Sequence, residues 1–247
     1  MKYYPPRYLF RRYEILRGIA CGHNFLEVGP GNLQLSQELL RFFDNGMLID
    51  YNPDVENVYH NLSAANKERL QLIIADLTYS APIREKYDCV VACEVIEHVE
   101  HDDCIVKTMI ELLNEDGQLI ISVPSREKFW SNHDEIVGHV RRYEKKQLID
   151  LLSKQGLSDI EVISYGYPFV NILRWPRILL AALQYRKKNQ WSQQKQTQES
   201  GLMKSNPLIN LIGVFCNQYT TYPLNLVASL FNRYDLSDGY VVFARKS

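Results

Sequence analysis

Three things are scarce in this 247-residue chain, and each absence narrows its class. Paired cysteines are missing. The five present, Cys21, Cys89, Cys93, Cys104 and Cys216, form an odd set with no Cys-x-x-Cys step, so the expectation is reduced thiols in a cytoplasmic protein. A basic excess is missing too: 28 Lys and Arg stand against 29 Asp and Glu, which argues against the extended positive footprint of a nucleic-acid binder. A membrane-spanning run is the third absence. One long uncharged stretch, 205–232, carries five asparagines, a glutamine and two prolines, a poor spanning helix. Charges interrupt the first twenty residues, so no secretory signal is expected. There are no internal repeats. With 46% hydrophobic residues, the chain suits one sizeable globular domain, or one domain with an insertion.

What is present is an alternation of strands and helices. Residues 6–20 read as an amphipathic helix with arginines and aromatics interleaved. "NFLEV" (24–28) is a first strand and 33–43 a first helix. "GMLID" gives a second strand ending at Asp50, residues 57–68 a second helix, and "LQLIIAD" a third strand ending at Asp76. "YDCVVACEV" is a near-continuous apolar run, as in a central strand buried on both faces. A helix follows, with Asp102 or Asp103 as its cap and Gly117 as its stop, and then a fifth strand, "QLIISVP". "EKKQLIDLLSKQGL", "DIEVISY" and "GYVVFARK" add a helix and two strands. This rhythm predicts a doubly wound, Rossmann-like α/β fold with a mostly parallel seven-stranded sheet. Residues 1–166 and 233–247 form the main domain. Residues 167–232 read as a helical insertion before the last strand, with a glutamine-rich mobile loop near 186–206.

In such sheets ligands bind at the carboxyl ends of the strands, and there Glu27, Asp50, Asp76 and Glu94 place four acids around Gly29, Pro30 and Gly31. Asp50 follows Gly31 by 19 positions, about the separation at which an acid meets ribose hydroxyls. The G-x-G-x-x-G spacing fails, however, and Glu27 would sit beside a dinucleotide's pyrophosphate, which disfavours a nicotinamide oxidoreductase. A phosphate-free, cationic ligand with a ribose removes the conflict. S-adenosylmethionine is such a ligand.

The motifs "LEVGPGN", "LIDYNPD", "IIADL", "VVACEVIEHV" and "QLIISVPS" resemble, in order, those of class I S-adenosylmethionine-dependent methyltransferases, in particular the ubiquinone-pathway O-methyltransferase-like group. The likeness implies Glu27 and the backbone of Gly29, Pro30 and Gly31 near the methionine part. It implies Asp50 on the ribose, Tyr51 packed on adenine, and Asp76 with the backbone of Leu77 at the adenine amino group. Where many relatives have a small residue, this chain has Leu33.

A second constellation, "EVIEHV", sets Glu94, Glu97 and His98 at helical spacing, with His133 and His139 downstream. Carboxylates with imidazoles suit a divalent cation such as Mg²⁺, and similar clusters occur in ubiquinone-pathway and small-RNA 3′-end methyltransferases. The alternative is that Glu94 borders the cofactor and His98 caps or packs. In "GHVRRY", His139 is a candidate base, with Arg141, Arg142 or Tyr143 holding an acidic substrate group. The competing reading is that Arg142 and Tyr143 anchor the loop. No Asn-Pro-Pro-Tyr-like motif follows the fourth strand, which argues against methylation of base nitrogens. The expectation is methyl transfer to a small molecule, apolar or acidic, at a hydroxyl oxygen. Metal-assisted 2′-O-methylation of an RNA 3′ end and an inactive cofactor-binding partner subunit are the alternatives. The insertion is expected to form a lid, with a packing or homodimer surface and a peripheral membrane contact as the other options.

Overall fold

A computed structural model describes residues 4–78, 81–188 and 217–247. One sheet contains β1 (Asn24–Val28), β2 (Asn45–Asp50), β3 (Leu70–Ile74), β4 (Tyr87–Cys93), β5 (Leu113–Pro124), β6 (Leu157–Ser164) and β7 (Gly239–Lys246). The order is β3-β2-β1-β4-β5-β7-β6. All pairings are parallel except those of β7, which is antiparallel to β5 and β6. This is the mostly parallel, doubly wound sheet that the alternation predicts. The chain winds outward in one direction from β1 and in the other from β4, so their carboxyl ends border a crevice.

The described helices are α1 (Pro6–Gly18), α2 (Gln34–Leu39), α3 (Val55–His60), α4 (Ala64–Arg69), α5 (Asp102–Glu111), α6 (Asn132–Val137), α7 (Lys145–Lys154), α8 (Phe169–Lys188) and α9 (Gln218–Ser229). Apolar layers cover both sheet faces. Along β4, Val90 and Ala92 enter one layer and Cys89 and Val91 the other, which is why this strand reads as an unbroken apolar run.

Several boundaries differ from expectation for local reasons. The single helix expected over 57–68 is two, because the Ser63 hydroxyl accepts from the Asn66 N–H and starts α4 afresh. The first helix begins only after Leu33, whose φ of 55° is left-handed, and ends at Leu39. α5 stops at Glu111, well before Gly117, because Leu113 already pairs with Tyr87 in the sheet. Its cap position is His101, with Asp102 and Asp103 in the first turn. β3 ends at Ile74, two residues short of Asp76.

Of the insertion, α8 and α9 are described, and the loop expected near 186–206 lies mostly outside the described residues. α8 packs on α6 and α1, and α9 on α1. Phe10 stacks on Phe169 with ring centroids 5.8 Å apart, and Arg12 donates to Gln218 Oε1 at 3.1 Å. No helix among the described residues is long and apolar enough to cross a membrane.

Candidate active site

The crevice holds a cavity of about 300 Å³. Its floor is the turn after β1. Gly29 and Gly31 are both left-handed, with φ of 67° and 50°. A Cβ at position 29 would lie 2.7 Å from Val95 Cγ2, so this turn demands glycine. The Gly29 N–H donates to Ile49 O at 2.9 Å, pinning the turn to β2.

Glu27 lines this cavity and is only 2% exposed. It accepts a 2.5 Å hydrogen bond from the Ser36 hydroxyl. Burial pushes its carboxyl up to about 7, against the pull of Ser36 and the Arg11 charge. Asp50, at the end of β2, accepts from the N–H of Asn52 at 2.9 Å and of Gly31 at 3.3 Å, tying two strand ends together. Burial raises its pKa while those N–H donors lower it. The adjacent Tyr51 is 36% exposed. Asp76 is exposed, and its Oδ1 accepts from both the N–H and hydroxyl of Thr78, at 2.8 and 2.6 Å, while Leu77 is buried.

The second constellation divides. Ile96–His98 form one 3₁₀ turn. Ligand atoms of Glu97, His98 and His139 lie within 4.8 Å of one another. Glu94 is elsewhere: its carboxylate is bridged by Arg7 at 3.2 Å and Arg11 at 3.3 Å, and its φ of 58° is left-handed. Glu97 is fully buried and neither carboxylate oxygen has a hydrogen-bond partner. Burial, then the nearby charge of Glu94, holds its carboxyl well above the usual range. His98 Nδ1 lies 3.1 Å from the Gly138 carbonyl, and burial with His139 beside it lowers His98 to about 4.

His139 is fixed from behind. Its Nδ1 lies 2.9 Å from Asp134 Oδ1. Burial works against ionisation of Asp134, but the His139 hydrogen bond and the Arg142 charge outweigh it and hold that carboxyl well below its usual range. An ionised acceptor requires Nδ1–H, which leaves the lone pair on Nε2, 3.8 Å from Glu97 Oε1. Burial lowers the His139 pKa, against the Asp134 bond. The ring lines the same cavity as Glu27, Gly29, Glu94, His98 and His133.

Arg142 and Tyr143 are absent from that lining. Arg142 donates to Asp134, to Asp238 Oδ1 at 2.6 Å and to the Ser125 carbonyl at 3.0 Å. The Tyr143 hydroxyl donates to Asp102 Oδ2 at 2.7 Å, and Arg141 pairs with Asp102 at 2.9 Å. These three hold the loop. Sequence reasoning missed Asp134, five residues before His139, and the α1 wall of Tyr8, Arg7 and Arg11. The i, i+4 spacing of the two arginines was the available signal. Among the described residues, α1 and not the insertion lines the cavity.

A sheet of this order with an acid–glycine turn at its switch point defines a Rossmann-like class I methyltransferase fold. The methyltransferase domain family matches residues 3–162, and the chain belongs to that family. It is an S-adenosylmethionine-dependent methyltransferase. Similar solved structures include a SAM-dependent methyltransferase of Thermotoga maritima (TM-score 0.59, 12% identity, 98% of this chain and 89% of that one). Another is the YcgJ protein of Bacillus subtilis (TM-score 0.57, 12% identity, 96% and 97%). A third is Haemonchus contortus phosphoethanolamine N-methyltransferase 2 in complex with S-adenosyl-L-methionine (TM-score 0.57, 18% identity, 96% and 52%). No curated protein matches the chain.

Proposed function

We propose that the enzyme methylates a hydroxyl oxygen of a small molecule, with His139 as the base. The observation that carries this reading is the Asp134–His139 pair, which leaves a lone pair on Nε2 of a ring that lines the glycine turn's cavity. The bound cofactor supplies an electrophilic methyl on a sulfonium. Glu27 with the backbone of Gly29, Pro30 and Gly31 receives its methionine end. Asp50 takes the ribose hydroxyls, Tyr51 covers the adenine, Asp76 and the Leu77 N–H meet the adenine edge, and Glu94 borders the site. His139 accepts the acceptor's proton as oxygen attacks, and the buried site positions the in-line displacement. Incubation with methyl-labelled S-adenosylmethionine and a panel of hydroxylated and amino acceptors tests this. O-methyl products are expected, and exclusive N-methylation would overturn the reading.

Cofactor binding is expected to depend on pH through Glu27. In the free protein this carboxyl keeps its proton up to about pH 7. A cationic ligand group favours the carboxylate, so binding below that pH must expel the proton. S-adenosylhomocysteine affinity should fall as pH drops from 8 to 6, approaching about tenfold per unit. Calorimetric titration of wild type and Glu27→Gln reads this directly: the variant should bind more weakly and without the slope.

A second reading is favoured by Glu97, a buried carboxylate without a hydrogen-bond partner, beside two imidazoles. Glu97, His98 and His139 would hold a divalent cation, which would acidify a bound hydroxyl in place of a base. The readings are exclusive at His139. In the cation reading, Mg²⁺ or Mn²⁺ raises turnover, chelation removes it, and Glu97→Gln lowers metal affinity at least about tenfold. Chelator-insensitive turnover supports the base.

A further inference from the structure

We propose that a second cavity, at the other end of α1 from the active site, binds a small organic cation. It holds about 340 Å³, within the range of small-molecule sites, and shares no lining residue with the active-site cavity. α1 serves both. Arg7 and Arg11 line the active-site cavity, and Glu14 and Arg17 line this one. Positions 7, 11 and 14 follow at i, i+4 and i+7, so one helix face runs from the first cavity into the second. Across from α1 stand β6 and β7, whose Ile163 and Phe243 supply apolar lining. Gln118 of β5 fixes the end of α1, accepting from the Ala20 N–H at 2.9 Å and donating to the Gly18 carbonyl at 3.0 Å.

Glu14 is the group that calls for a ligand. Its side chain is 2% exposed, and Oε2 is buried without a hydrogen-bond partner. Arg17 Nη2 stands 3.5 Å from that oxygen, but the Arg17 side chain is more than half exposed and lies over the Tyr13 ring. Asn232 is beside the same carboxyl, and its own polar atoms are also buried without hydrogen bonds. Burial raises the Glu14 pKa, Asn232 and Arg17 lower it, and the charge of Glu161 raises it again. A buried carboxyl short of donors is unfavourable, and a cationic donor entering the cavity relieves it.

Charge and spacing select the ligand. Asp159 and Glu161 line the cavity as well and are exposed, so three acids stand there against Arg17 and Arg245. Arg245 already donates to the Asp116 carbonyl at 2.9 Å. Among the described residues, these three acids do not converge as metal ligands do; Glu97, His98 and His139 are the group that does. The acidic excess is instead spread over a molecule-sized space beside apolar side chains. A protonated amine on an apolar body matches it. The ammonium donates to Glu14, and the body lies against Ile163 and Phe243.

The test is calorimetric titration of phenethylamine, a cation at neutral pH, into the full chain saturated with S-adenosylhomocysteine, which keeps the active-site cavity filled. Phenethyl alcohol is the uncharged control. The amine is expected to bind, and the alcohol at least about tenfold more weakly. Glu14→Gln should weaken the amine at least about tenfold. Arg17→Ala removes the competing cation and should strengthen it about two- to fivefold. Neither substitution should change S-adenosylhomocysteine affinity, which leaves the catalytic reading independent of the outcome. Should Glu14→Gln fail to fold, the Arg17 variant, altered at a largely exposed side chain, still gives a readout of opposite sign. Three results would overturn the proposal. One is the absence of amine binding to the saturated protein. Another is equal binding of the alcohol. The third is a folded Glu14→Gln that holds the amine as wild type does, or an Arg17→Ala that holds it no more tightly.

Discussion

Replacing Arg142 with Met is expected to destabilise the fold by about 3–5 kcal/mol, because it leaves two buried carboxylates without their shared cation. Arg142 is 2% exposed, and Asp134 and Asp238 are both fully buried. The guanidinium donates to Asp134 Oδ1 at 2.8 Å and Oδ2 at 3.1 Å, and to Asp238 Oδ1 at 2.6 Å. Methionine fills the volume but supplies no donor, so the loss is electrostatic and not a packing defect. Urea denaturation should place the midpoint well below that of wild type. The sign of the pH dependence follows from Asp134. Its folded pKa is depressed, so its contribution is present above the ordinary carboxylate range and is lost as pH falls through the folded value. The Arg142→Met protein should lose much of that dependence. A shift under about 1 kcal/mol would mean that the two acids find other partners.

The second large effect is catalytic. His139→Ala is expected to lower kcat by about 10²–10⁴, with S-adenosylhomocysteine affinity near wild type. Burial lowers the His139 pKa below its ordinary 6.5. The wild-type rate should therefore rise with pH through a midpoint below 6.5 and be flat at neutrality, while the alanine variant lacks that step. The measurement is a pH–rate profile with the acceptor found by the screen described above. A variant that keeps its rate would return His139 to a structural role and leave the chemistry to positioning alone.

The crevice was legible in the sequence because its parts are local. A strand of five residues, a left-handed glycine turn and an acid at each strand end are written in contiguous letters, and the sheet's handedness does the rest. β7 and β1 coincide with the stretches read for them. What was not legible required distant segments to meet. Arg7 and Arg11 reach Glu94 only because α1 folds back across the sheet, and Asp134 reaches Arg142 and His139 only after α6 turns. The break at Ser63 turned on one hydroxyl competing with helix continuation, a balance that periodicity does not register. α9 is the opposite case. Its apolar letters left a lid, a packing surface and a membrane contact open, and which side of the helix faces in is set by the buried Thr221 and Asn225, which periodicity alone does not mark.

Asp238 has a consequence for communication within the molecule. Its N–H donates to Asn171 on α8 at 3.2 Å, its carboxylate holds Arg142, and Arg142 holds the Asp134 that orients His139. A relay of four side chains thus joins the foot of α8 to the imidazole. Coupling through such a relay is reciprocal in equilibrium terms. If a shift of α8 alters affinity at the active-site cavity by some factor, filling that cavity alters the equilibrium of the shift by the same factor. The insertion and the imidazole would then report on each other, with Asp238 as the shared pivot.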